Sequence, residues 1–95
     1  MAAPDVLVSR IKESMRIRHD RLDGDIRGNI EAAMADMRMR GVAAPEGDAL
    51  AGKACELYCK WQCDYLGRGE AFRQHYEGLR DSMSLSAGYR TDGKK

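Results

Sequence analysis

Four stretches of the chain place apolar residues three or four positions apart, with glycine- or proline-containing segments between them. That spacing predicts amphipathic helices, and no alternating strand pattern interrupts it. The first helix is expected over about 5–16, with Leu7, Ile11 and Met15 on one side and Arg10, Lys12, Glu13 and Arg16 facing elsewhere. Pro4 and Asp5 suit its first turn, since proline needs no N–H there and an acid complements the helix dipole. The second is expected over about 22–40, where Leu22, Ile26, Ile30, Ala33 and Met37 share a face. Asp20 or Asp23 is its expected N-cap. Gly24 and Gly28 each weaken it by about 1 kcal/mol relative to alanine, and Gly41 follows as a residue suited to the left-handed end of a helix.

The third stretch, 49–66, is the one on which the others converge. It holds all three cysteines, the only tryptophan and two of the four tyrosines in a run without proline. As a helix capped by Asp48, it puts Leu50, Ala54, Leu57, Tyr58, Trp61 and Tyr65 on one face, expected to be the main core stripe. Ala51, Cys55, Cys59, Cys63 and Leu66 form a second, smaller apolar strip, with Lys53, Glu56, Lys60 and Asp64 on one flank. A helix apolar on two sides needs two neighbours. The second neighbour is either in the same chain or in another copy of it, which makes the three cysteines candidates for a second contact. Gly67, Arg68 and Gly69 form a short link to a fourth helix over about 70–84, so the two helices are expected to be antiparallel. The fourth presents Phe72, Tyr76, Leu79 and Met83 on one face, towards the aromatic side of the third. The expectation is one all-α domain of about four helices, with 85–95 as a flexible tail.

At 95 residues the chain is a single small domain, for which association is a natural source of extra stability. Its formal charge of +1 offers no global field for nucleic acid or an anionic membrane. Locally the charge is uneven, with five cations against two anions between Arg10 and Arg21. Three cysteines within nine residues, an odd number on one helix, do not read as a disulfide framework and point to a reducing compartment. No apolar run approaches the roughly 20 residues of a membrane span, and MAAPDVLVSR lacks the apolar stretch of a signal peptide. A soluble protein made in the cytoplasm is expected.

The candidate chemistry is sparse. Cys55 and Cys63 stand eight residues apart, about 12 Å along a helix axis. That is too far for both sulfurs to ligate one ion at about 2.3 Å. At most two of the three could share a metal with His75, and no CxxC spacing offers redox exchange. Small apolar packing accounts for the cysteines best. His19 lies among arginines and reads as a surface residue, and His75 reads as a boundary residue of its helix. No nucleophile elbow or phosphate loop is present, and Asp23 and Asp25 suit a helix start better than acid–base work. No catalytic, cofactor or metal site can be built, so an enzyme is not expected. Arg10, Lys12, Arg16, Arg18 and Arg21 could touch phosphates.

The order of several short motifs resembles a known family. Leu57-Tyr58-Cys59-Lys60, then Tyr65, the short glycine-containing link, Phe72, Tyr76-Glu77-Gly78-Leu79 and the closing Leu85-Ser86-Ala87-Gly88-Tyr89 look like the head-tail connector proteins of tailed bacteriophages and prophages, often called DNA-packaging proteins. Met15-Arg16-Ile17, an acid-containing loop and a helix closing at Arg40-Gly41-Val42 extend the likeness over roughly residues 6–90. The three cysteines and Trp61 stand outside the pattern. The resemblance implies a virion structural protein at the head-tail junction, assembled in the host cytoplasm. It would be an adaptor, typically a dodecameric ring, between the portal protein and the tail or head-completion proteins, with DNA passing through the channel without sequence-specific binding. It implies no cofactor, membrane or small-molecule substrate. On this reading Leu85, Ser86, Tyr89 and Arg90 would contact the portal or an adjacent subunit, and deleting 85–95 should abolish assembly while leaving the fold nearly unchanged. The alternative is a small helical DNA-binding regulator or DNA-packaging initiation protein.

Overall fold

The computed structural model describes residues 5–44 and 47–89; Pro4, Pro45 of the interhelical loop, Arg90 and the rest of the expected tail lie outside the described residues. The fold is all-α: α1 (Asp5–Ser14), α2 (Asp23–Met39), α3 (Ala49–Gln62) and α4 (Gly69–Leu85), with a single 3-10 turn, Tyr65–Gly67, between the last two.

Two of the helices end in the same way. At the close of α2, the Val42 N–H donates to the Met37 carbonyl and the Gly41 N–H to that of Arg38, with Gly41 at φ 84°. This is the left-handed termination expected from the sequence. At the close of α1, the Ile17 N–H donates to the Lys12 carbonyl and the Arg16 N–H to that of Glu13. Here the left-handed position, φ 59°, is held by Arg16. The start of α2 departs from expectation. Its N-cap is Leu22, with no side-chain cap bond. Asp20 and Asp23 instead both face the Lys12 ammonium at 2.8 Å. Asp48 does cap α3, accepting from the Ala51 N–H at 3.0 Å.

The third helix is four residues shorter than its apolar pattern suggests. It stops at Gln62, after which Asp64, Leu66 and Gly67 all take positive φ. The Asp64 carboxylate reaches forward to accept the Gly69 N–H at 2.7 Å and draws the chain round to start α4. A Cβ on Gly69 would stand 2.7 Å from that carboxylate oxygen and 3.1 Å from the Trp61 carbonyl, so this tight corner requires glycine. Leu66 is therefore turned outward, at 74% exposure.

Three sides of α3 are occupied. Towards α4, Tyr58 meets Trp61 and Tyr76 edge-on, each at 5.2 Å between ring centroids, and Tyr65 meets Phe72 at 6.2 Å. The later residues of α3 thus meet the earlier residues of α4, as in an antiparallel pair. Towards α1, Ser14 Oγ donates to Glu56 Oε2 at 2.7 Å, and the Arg10 guanidinium packs over Gly52. Towards α2, Ala54, Cys55 and Cys59 join Ile26, Ile30, Ala33 and Met37 in the core, together with Leu7, Val8 and Ile11 of α1. Leu57, Tyr76 and Met83 are buried as the sequence suggests, while Tyr58, Trp61, Tyr65, Phe72 and Leu79 are half-buried around them. Leu50 does not belong to the core: in the first turn of α3 it is 44% exposed.

Two carboxylates tie the layers together. Asp36 of α2 accepts from the Tyr76 hydroxyl at 2.7 Å and from Arg80 at 2.9 Å, both on α4. Glu56 accepts from Ser14 and from Lys60. Burial would raise both carboxyls, but these donors and the neighbouring cations outweigh it and hold both below their ordinary values. A carboxylate depressed in the folded state adds stability above its unfolded value, and this is lost as pH falls through the folded value. Stability is therefore expected to be level near neutrality and to decline below about pH 4.5. Asp36→Asn should cost about 1–3 kcal/mol at pH 7 and flatten the acid decline, as read from urea denaturation across pH.

Candidate functional surfaces

The sequence strip Cys55, Cys59 and Cys63 divides in the fold. Cys55 and Cys59 are fully buried among the helices of this chain, so the second contact of α3 at these two positions is internal. Cys63 caps the helix C-terminus and is exposed. Burial pushes the Cys55 thiol up to about 11, and burial together with the adjacent thiols pushes Cys59 up to about 12. At neutral pH both stay protonated and poorly nucleophilic. His75 lies exposed on α4. Among the described residues no three His, Cys, Asp or Glu side chains are grouped to hold a metal ion.

The Asp36–Tyr76–Arg80 cluster contains groups that elsewhere serve as acids and bases, but here they satisfy one another. Tyr76 is fully buried, its hydroxyl also lies 3.4 Å from the Ala33 carbonyl, and its phenol is pushed upward by burial and by Asp36. Arg80 is shared with Asp81 at 3.0 Å and stacks over the Tyr76 ring. The cluster locks α4 to α2. The apolar periodicity alone does not reveal it; the available signal is Asp36 standing between Ala33 and Met37 on the flank of a buried face, where a carboxylate needs a partner.

The closing segment turns back onto its own chain. Leu85 is the last residue of α4 and is 78% exposed; Ser86 is exposed as well. Tyr89 is half-buried, donates its hydroxyl to the Asp48 carboxylate at 3.0 Å, and accepts the Ala43 N–H at its carbonyl. Tyr89 is thus an intrachain clasp, and deletion of 85–95 would remove part of the fold along with any external contact. The clasp gathers three helix ends: the close of α2, the start of α3 and the close of α4. Each carries an exposed large apolar residue, namely Met39 at 81%, Leu50 and Leu85. Single exposed apolar residues are ordinary, and these three stand on helix ends that the Tyr89 clasp ties together.

The basic segment also divides. An open groove of about 620 Å³ is lined by Ser9, Lys12, Glu13, Arg16, Ile17 and Arg18. Arg10 is exposed with its guanidinium against Gly52, and Lys12 is neutralised by Asp20 and Asp23. His19 is exposed, with its Nδ1 accepting the Arg21 N–H at 3.3 Å. No helix among the described residues is long and apolar enough to cross a membrane.

Compared with protein-family models, with curated proteins and with solved structures, the chain matches none.

The burial of the thiols sets an expectation for their reactivity. With Ellman's reagent at pH 8 the native protein should release one equivalent of thiolate promptly, from Cys63. The other two should react only as fast as the protein opens, and all three at once in denaturant. Prompt reaction of two or more thiols in the native state would contradict the packing described for Cys55 and Cys59.

Proposed function

We propose that this chain is a structural subunit of a phage or prophage head-tail connector, a ring between portal and tail through which DNA passes. The reading rests on the order and spacing of the motifs from Leu57-Tyr58-Cys59-Lys60 to Leu85-Ser86-Ala87-Gly88-Tyr89. The structural observation in its support is that Met39, Leu50 and Leu85 are exposed on helix ends tied together by the Tyr89 clasp. Exposed apolar groups so placed suit a heterologous contact, which closes into a ring when the rotation between copies permits. Its virion location, its portal and tail partners and the absence of catalysis belong to the same proposal.

Within the closing segment the two apolar residues have different tasks. Tyr89 holds the subunit together, and Leu85 is left for a neighbour. Leu85→Lys should leave unfolding stability within about 0.5 kcal/mol, because the side chain is exposed and a cation suits a helix C-terminus. The parent chain is expected to form rings or large oligomers at high concentration, alone or with the portal protein of the same genome, and electron microscopy should find none with Leu85→Lys. Tyr89→Phe should instead cost about 1 kcal/mol of stability while leaving assembly in place at temperatures where the chain is folded. A chain that stays monomeric under all conditions and does not bind portal would overturn the proposal.

A further inference from the structure

Arg16 occupies a backbone position that the chain fills with glycine at the equivalent place one helix later. Both α1 and α2 close through paired backbone bonds around a left-handed residue, Gly41 in one case and Arg16 in the other. A long side chain there is disfavoured, as at Asp64 and Leu66 in the corner after α3, and residues so held often cluster at functional sites. Arg16 gains nothing internally that would offset this. It is exposed, and among the described residues its guanidinium has neither a hydrogen-bond nor an ion-pair partner. The same holds for Arg18, two residues on in the extended link. Both line the open groove beside α1, together with the Ser9 hydroxyl.

We infer that this groove binds the phosphodiester backbone of nucleic acid, with Arg16 and Arg18 as the two phosphate-contacting groups. Guanidinium matches phosphate by paired N–H donation, and a free guanidinium needs no internal bond to be broken first. The groove is open to solvent, which suits a strand lying across it better than a small anion that must be enclosed. Glu13 on its wall opposes an isolated anion and tolerates a ligand whose charges are spaced along a chain. Lys12, already held by Asp20 and Asp23, contributes little. The ligand is read by charge alone, because the groove offers no aromatic platform for bases. The inference does not rest on the connector reading, since it concerns the single chain in solution.

The test is fluorescence anisotropy of the full chain with labelled duplex DNA of random sequence, and with single-stranded DNA and RNA of the same length. Binding in the range of about 1–100 µM is expected at physiological salt. Two phosphate contacts should make affinity fall about tenfold between 50 and 200 mM salt. Arg16→Gly is the decisive variant, because it removes the charge and relieves the backbone at once. It should raise the melting temperature and weaken binding severalfold. Arg18→Gln should weaken binding similarly without changing stability, and Arg38→Gln, on the far helix α2, should change neither. If Arg16→Gly raises stability and binds as the parent does, or if no nucleic acid binds at 50 mM salt, the inference is overturned. Binding to one duplex sequence far more tightly than to random sequence would also overturn it, in favour of base readout by a regulator. Preference among the three nucleic acids identifies the source of the phosphodiester, and monomeric behaviour of Leu85→Lys with binding retained separates this site from assembly.

Discussion

The whole arrangement depends on α3 having to serve three neighbours at once. A short helix, Ala49–Gln62, meets α4 through aromatic rings, α2 through small buried side chains and α1 through Gly52 and Glu56. The core between α3 and α2 includes the small side chains Ala54, Cys55 and Cys59, and the face towards α4 carries the rings Tyr58, Trp61 and Tyr65. The two kinds of apolar residue in one helix thus serve two different neighbours. The cysteines act as small apolar packing, and burial suppresses the thiol chemistry of Cys55 and Cys59.

Most of this could be read from the residues, because helical periodicity is local and strong. The four helices, the Asp48 cap, the Gly41 termination and the aromatic contact between the last two helices all follow from spacing and from the preferences of single residues. What could not be read depends on groups distant in sequence. The apolar pattern of 49–66 runs on past Gln62, and only the bond from Gly69 to Asp64 ends the helix there. Leu50 has the right phase for the core, yet in the first turn of α3 it is left 44% exposed. Asp20 and Asp23 have cap chemistry and are taken instead by Lys12, eight or more residues earlier.

The candidate surfaces were less legible than the fold for the same reason. A run of cations looks continuous in sequence, but the fold lays the Arg10 guanidinium against Gly52, neutralises Lys12 and leaves Arg16 and Arg18 lining the groove. The closing Leu85 to Tyr89 segment looks like a single external contact, but a hydroxyl reaching Asp48 divides it into an internal half and an external half. Surface function depends on which charges and apolar groups remain after intrachain partners are satisfied. Residue order does not contain that remainder.

Asp48 serves the first turn of α3 and the hydroxyl of Tyr89 with the same carboxylate. One carboxylate thus fixes where α3 begins and holds Tyr89, beyond the end of α4. The two ends of the antiparallel pair are tied through a single side chain, so whatever loosens Asp48 frays the start of one helix and the close of the other together.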